Sequence, residues 1–402
     1  MKIACAFLLL TALSCSTGKQ TLAQKGKTAF YTLDSKVMQA RKSAIDNNDK
    51  NLSRAYKQLI KDADQALAFG PVSVMEKKND PPSGNRHDYM SLAPYHWPNP
   101  DTENGLPYIR KDGQTNPEVK EYKDKEYMPK LCESVYTLGL AYYFSGENHY
   151  AAHAAKLLKV WFLDTATKMN PNLNYGQAIK GVNEGRGAGM IDTRHLVKLI
   201  DGIGLIQPSK DWKAADNNAM KEWMGSFLIW MQTSKIGIDE MKAKNNHGAW
   251  YDAQRLAIAL YIDSNALAKK IIASAADRLD KQMDENGFFP LEMQRTTSLH
   301  YTTFVIDAFM EIANMAEKAG VDFWNLTTPN GHSLKQAINV LKPFLKEEQE
   351  WKGEQIKTFD LEEGYEILME ASKRYKCKDC AEAVQRIAAD KAPRLRLNLL
   401  YN

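Results

Sequence analysis

Tyr301-Thr-Thr-Phe-Val-Ile-Asp-Ala-Phe-Met-Glu-Ile-Ala-Asn-Met315 decides the fold class. Its apolar residues Tyr301, Phe304, Val305, Ala308, Phe309, Ile312 and Met315 recur three or four apart, the spacing of one face of an α-helix. The same spacing appears upstream. Ala154, Leu157, Leu158, Trp161 and Phe162 make one stripe, and Met220, Trp223, Met224, Phe227, Leu228 and Met231 make another. Similar patterns fall near 52–69, 131–144, 191–206, 249–262, 264–283, 332–347 and 378–390. Alternating β-branched runs are scarce, so the chain reads as all-α with about ten or more helices. Short links between consecutive helices predict antiparallel hairpins. Repeated over this length, hairpins form either a solenoid or a closed toroid. No fixed-period repeat supports a regular array.

Composition sets the outer bounds. The chain has 402 residues, 44% of them apolar and 25% charged, which suits a folded protein with a sizeable core. The 53 Lys and Arg nearly balance the 49 Asp and Glu, and no basic block stands out. A nucleic-acid partner is therefore disfavoured, and any anionic ligand must be met by a local cluster.

Lys2 followed by the apolar run Ile3 to Leu13 reads as a signal peptide. Thr21-Leu22-Ala23 fits its cleavage site, giving a leader over 1–23 and a mature chain over 24–402. A rival reading makes Cys15 a lipidated residue. Either way the protein is exported, to the periplasm or to a lipid anchor. No other stretch is long and apolar enough for a transmembrane helix. Cys377-Lys-Asp-Cys380 reads as a local disulfide or two idle thiols, since no second ligand pair supports zinc.

Two stretches break the helical rhythm. From about Gly70 to Pro129 the chain holds 9 of its 15 prolines, together with His87, Tyr89, Tyr95, His96 and Trp97. From Asn170 to Met190 it holds five glycines, Glu184 and Arg186. Both are too long to be simple connectors, and the second reads as a mobile lid.

Candidate chemistry sits at two helix starts. Asn245-Asn246-His247 precedes a helix beginning near Ala249. An Asn there is a good N-cap. A His at a helix N-terminus is also biased toward the neutral imidazole that a general base needs, and the amides can hold a carboxylate. Arg295 through Tyr301 leads into the Tyr301–Met315 stripe, with Ser298 as the expected N-cap and His300 and Tyr301 in the first turn. Tyr301 lies on an apolar stripe, as a core tyrosine would. The functional alternative is a phenol whose pKa is lowered by the helix end and Arg295. His149 and His153 share a helix face but have no third ligand, so no metal is expected.

His87-Asp-Tyr-Met-Ser-Leu-Ala-Pro-Tyr-His-Trp-Pro98, Gly176 to Asp192, Asn245-Asn-His-Gly-Ala-Trp-Tyr-Asp252 and Arg295 to Tyr301 occur in this order. Together they resemble the alginate lyase family of polysaccharide lyases. The resemblance spans roughly 70–310. It implies an (α/α) toroid or incomplete barrel of about six to seven helical hairpins, with 24–402 as a single catalytic domain. It implies β-elimination of 4-linked uronate polymers, most of all alginate, without a metal or cofactor. Asn246 and Arg295 would neutralise the uronate carboxylate, and His247 and Tyr301 would move the protons. His87, Tyr89, Tyr95, Trp97, Arg186, Asn245 and His300 would bind the anionic polysaccharide. The enzyme is expected to be a monomer. Two other readings share the exported helical frame. One is a glycoside hydrolase drawing on Glu184, Asp192, Asp252 or Glu292. The other is a non-catalytic glycan-binding lipoprotein.

Overall fold

The computed structural model describes residues 26–387 and 396–401. The proposed leader and Cys15 lie outside the described residues. Fifteen α-helices account for most of the described chain, and they follow the predicted stripes closely. In order they are α1 (Ser35–Asp46), α2 (Ser53–Ala66), α3 (Lys123–Ser145), α4 (Asn148–Leu158), α5 (Leu196–Ile206), α6 (Ala214–Thr233), α7 (Lys235–Met241) and α8 (Asn246–Tyr261). Then come α9 (Asn265–Gln282), α10 (Pro290–Met293), α11 (Ser298–Lys318), α12 (Leu334–Leu345), α13 (Tyr365–Arg374), α14 (Lys378–Ile387) and α15 (Leu397–Leu400).

The helices form two layers. α3, α5, α8, α11 and α13 pack side by side in that order. α5 and α8 are buried along almost their whole length, as inner helices are, and most polar residues of α8 are buried with it. α2, α4, α6, α9 and α12 lie outside, each contacting the inner helix that follows it in the chain or next but one. All six apolar residues of the α6 stripe are buried against this inner layer. The architecture is the helical toroid expected from the sequence. One contiguous apolar core runs through it, with Trp161, Trp324, Phe227 and Phe309 among its fully buried side chains. No helix of the described residues is long and apolar enough to cross a membrane.

The irregular stretches differ from expectation. The Pro-rich loop ends at Tyr122, because Pro129 lies inside α3. Pro129 removes one helical N–H, a cost the packed surroundings of α3 outweigh. The loop is not formless. It contains β1 (Met90–Leu92), β2 (His96–Trp97) and β3 (Ile109–Arg110). β2 pairs antiparallel with β3, and β1 pairs in parallel with β4 (Tyr175–Ala178) in the Gly-rich stretch. The two loops are thus stitched together. The glycines of the second loop serve close packing: a Cβ at Gly185 would collide with the Asn174 carbonyl, and one at Gly189 with Gly176. Sequence reading attributed them to lid mobility. Cys377 and Cys380 form a disulfide.

Candidate active site

The N-terminal ends of four inner helices open into one cleft of about 670 Å³. Lys125 comes from the first turn of α3, His195 from the N-cap of α5, Asn245 to His247 from the start of α8, and Tyr301 from the first turn of α11. Each helix turns its positive dipole end toward the cleft. Arg110, Lys125, Arg186, Arg194 and Arg295 line it, against two carboxylates, Asp192 and Glu240. Tyr95 and His96 reach in from the first loop, and Gln177 and Arg186 from the second. The site is built for an anion.

Two of the cations are not consumed by carboxylates. Arg186 donates to Gln177 Oε1 at 2.9 Å, and its Nε is buried without a partner. Arg194 lies over the Phe304 ring and donates to the Ile191 carbonyl. Lys125, by contrast, pairs with Asp192 at 2.8 Å. Asp192 also accepts from Ser91 and Gln177, and these partners hold its pKa below the usual value although burial opposes them.

His247 Nδ1 lies 2.7 Å from Glu240 Oε1. An ionised carboxylate can only accept, so Nδ1 carries the hydrogen and Nε2 is left for the cleft. Glu240 is 4% exposed and lines the same cavity. Asn246 is held from behind by a second buried carboxylate. Glu292 accepts from the Asn246 backbone N–H at 2.6 Å and from Nδ2 at 2.9 Å. Asn246 Oδ1 remains buried without a partner.

Tyr301 donates to the Tyr95 hydroxyl at 2.9 Å. Its pKa is raised, chiefly by burial and then by Tyr95, and Arg295 only partly opposes this. The expected lowering is therefore corrected: desolvation outweighs the nearby cation. Arg295 lies flat on the Tyr301 ring, 3.6 Å from its centroid, and binds Asp112 through Nε at 3.0 Å and Nη2 at 2.7 Å. Its charge is thus largely matched by Asp112.

Of the eleven residues singled out, Tyr95, Arg186, Asn245, Asn246, His247, Arg295 and Tyr301 meet at the cleft. Four do not line it. Tyr89 is fully buried and its hydroxyl contacts Asp192 at 3.2 Å. His87 pairs with the Lys168 carbonyl. Trp97 donates to the Gln114 carbonyl and lies under Lys111, because neighbours on a strand point to opposite sides and His96 takes the cleft side. His300 turns to Gln355 and Glu363, about a quarter-turn round α11 from Tyr301. The α11 cap is Thr297, one residue before the expected Ser298, whose hydroxyl donates to the Glu354 carbonyl. His153 is taken by the Phe69 carbonyl and His149 packs on Tyr150.

Sequence reasoning missed Glu240 and Asp112, and it considered Glu292 and Asp192 only as hydrolytic carboxylates. Each of the drafted carboxylates has another task or position. Glu292 holds Asn246, Asp252 binds Arg278 and Arg255, Asp192 is tied to Lys125, and Glu184 is exposed.

Comparison with known proteins returns one family. A family model described as alginate lyase matches residues 73–351. A crystal structure of an alginate lyase from Bacteroides ovatus is 40% identical, with a TM-score of 0.87, and the match covers 93% of this chain and 99% of that one. Alginate lyase A1-III from Sphingomonas species A1 shares the fold at 17% identity and a TM-score of 0.60, over 95% and 97% of the two chains. A variant of A1-III complexed with a tetrasaccharide matches at 16% identity and a TM-score of 0.60, over 92% and 95%. No curated protein sequence matches significantly.

Proposed function

The chain belongs to the alginate lyase family and is a polysaccharide lyase, and we propose that it breaks 4-linked uronate chains by β-elimination with His247 and Tyr301 as its proton carriers. The observation that carries this reading is the convergence of both residues on one cationic cleft. The C5 proton of a uronate is weakly acidic. It becomes removable when cations neutralise the adjacent carboxylate and the enolate-like charge is stabilised. Arg186 and Arg194 have charge to spare for that task, and the α8 N-terminus adds to it.

The proton path depends on the sugar. In guluronate the C5 proton and O4 lie anti. His247 Nε2 takes the proton and Tyr301 gives one to O4. A raised phenol pKa suits that acid, because Tyr301 stays protonated until it is needed. In mannuronate the two lie syn, and Tyr301 serves as base and then acid. Its proton must first leave to solvent, after which the Tyr95 hydroxyl, 2.9 Å away, can turn and donate a hydrogen bond to the phenolate. Asn246 and Asn245 position the uronate, and Arg295 orients the Tyr301 ring. No metal or cofactor takes part in this scheme. The reading includes export of the mature chain, which is where such polymers are met.

The test is a pair of variants on two homopolymers. Tyr301→Phe keeps the ring and removes the hydroxyl, so turnover should fall by about 10²–10⁴-fold on both substrates. His247→Ala should abolish cleavage of polyguluronate and cost less on polymannuronate. Near-native turnover by Tyr301→Phe on every cleaved substrate would refute the proton path.

A further inference from the structure

Behind the wall that carries Asn245 to His247 lies a second pocket of about 480 Å³, lined by Met241 to Lys244 on one side and by α9 on the other. Ala243 lines both cavities, so the loop 242–245 is a thin partition between them. Three side-chain donors from α9 grip its back, and a fourth reaches α8. Arg278 gives Nη2 to the Met241 carbonyl at 2.9 Å, Nη1 to the Ala243 carbonyl at 2.6 Å and Nε to Asp252 at 2.7 Å. Gln282 gives Nε2 to the Asn245 carbonyl at 3.0 Å. We infer that Arg278 is a positioning residue, a strut that fixes Asn246 and His247 from the far side of the partition.

Three observations support the strut. Met241 ends α7, and its carbonyl, at the negative end of the helix dipole, favours a cation. Asp252 lies in α8 itself and is fully buried, so Arg278 ties the partition to the helix that bears His247. The sequence leaves room for this: a Cβ at Gly248 would collide with Arg278 Nη1 and the Ala243 carbonyl. The Gly in Asn-Asn-His-Gly thus admits the guanidinium. Nothing on Arg278 faces the cleft, and it does not line it. Its effect is on where His247 Nε2 and Asn246 stand.

This inference rests on the proposed function, and its test separates the two. Arg278→Ala should lower kcat by about 10²-fold, the cost of a misplacement near 1 Å, with KM changed less than threefold because the cleft cations remain. The second pocket gives small solutes access to the emptied site. Millimolar guanidinium should therefore restore at least a tenth of the lost turnover in Arg278→Ala, while urea should not. Gly248→Ala keeps the arginine but displaces it, and should lose turnover without guanidinium rescue. If Arg278→Ala does not fold, Arg278→Lys keeps the charge at Asp252 and one of the loop bonds, and should show the same kcat-selective loss. Wild-type kcat in Arg278→Ala or Arg278→Lys, or a folded Arg278→Ala that guanidinium does not rescue, would overturn the strut. His247→Ala is run alongside. If it turns over normally on every cleaved polymer, the proposed proton path fails, whatever Arg278 does.

Discussion

At the residue scale the account turns on the carboxylate behind His247 and on the phenol of Tyr301. Glu240 holds the His247 tautomer that leaves Nε2 free. Glu240→Gln can donate to Nδ1 and favour the opposite tautomer. Cleavage of polyguluronate should then fall by at least about 10²-fold, with a smaller loss on polymannuronate, as read from initial rates on both polymers. Equal losses on the two would show that Glu240 only supports the fold. The raised Tyr301 pKa makes a second prediction. Below that pKa the phenolate fraction grows about tenfold per pH unit. Polymannuronate cleavage, which needs the phenolate, should keep rising into the alkaline range. Polyguluronate cleavage needs Tyr301 protonated as the acid, so it should not share that alkaline rise. Parallel pH profiles would remove Tyr301 from the base role. The sequence revealed His247 and Tyr301 because both sit at helix starts. It hid their partners, since Glu240 is 7 residues from His247, Glu292 is 46 from Asn246 and Asp112 is 183 from Arg295. Glu240, next to last in α7, is close in sequence, but no motif marks it.

At the element scale the site is a consequence of how the hairpins stack. Because the outer helices run back between them, α3, α5, α8 and α11 all present their N-termini to the same end of the toroid. Four dipole ends and five cations then share one cleft. The helical stripes were legible because their period survives any tertiary arrangement. The loops were not, since their short strands pair with residues far along the chain, as β1 does with β4. Which face of β2 meets the cleft could not be read from two residues, and so His96 replaces Trp97 there. Trp97→Ala should accordingly leave KM within about twofold. Arg186 is different, with its Nε unpartnered at the cleft. Arg186→Ala should raise KM for the polymer by about tenfold or more, the size of one hydrogen bond to a charged group. An unchanged KM for Arg186→Ala would place the carboxylate contacts on other cations.

At the scale of the whole molecule, length, stripe count and the ordered motifs were enough to anticipate an all-helical toroid. The closing elements were harder to foresee. α13 to α15 carry none of the ordered motifs: α13 ends the inner row against α11, and α14 and α15 pack on α13, α1 and α2. The scheme uses only side chains of this chain, so dialysis against a chelator should leave turnover unchanged. Activity lost with EDTA and regained with one divalent ion would contradict it. The central claim is elimination, and the product reports it directly. The measurement is the ultraviolet absorbance of purified protein acting on polymannuronate, polyguluronate, glucuronan and glycosaminoglycans, beside a reducing-end assay. The account predicts absorbance from a conjugated unsaturated uronate, rising in step with new reducing ends on at least one alginate homopolymer. New reducing ends without that absorbance would mean hydrolysis, and would contradict it.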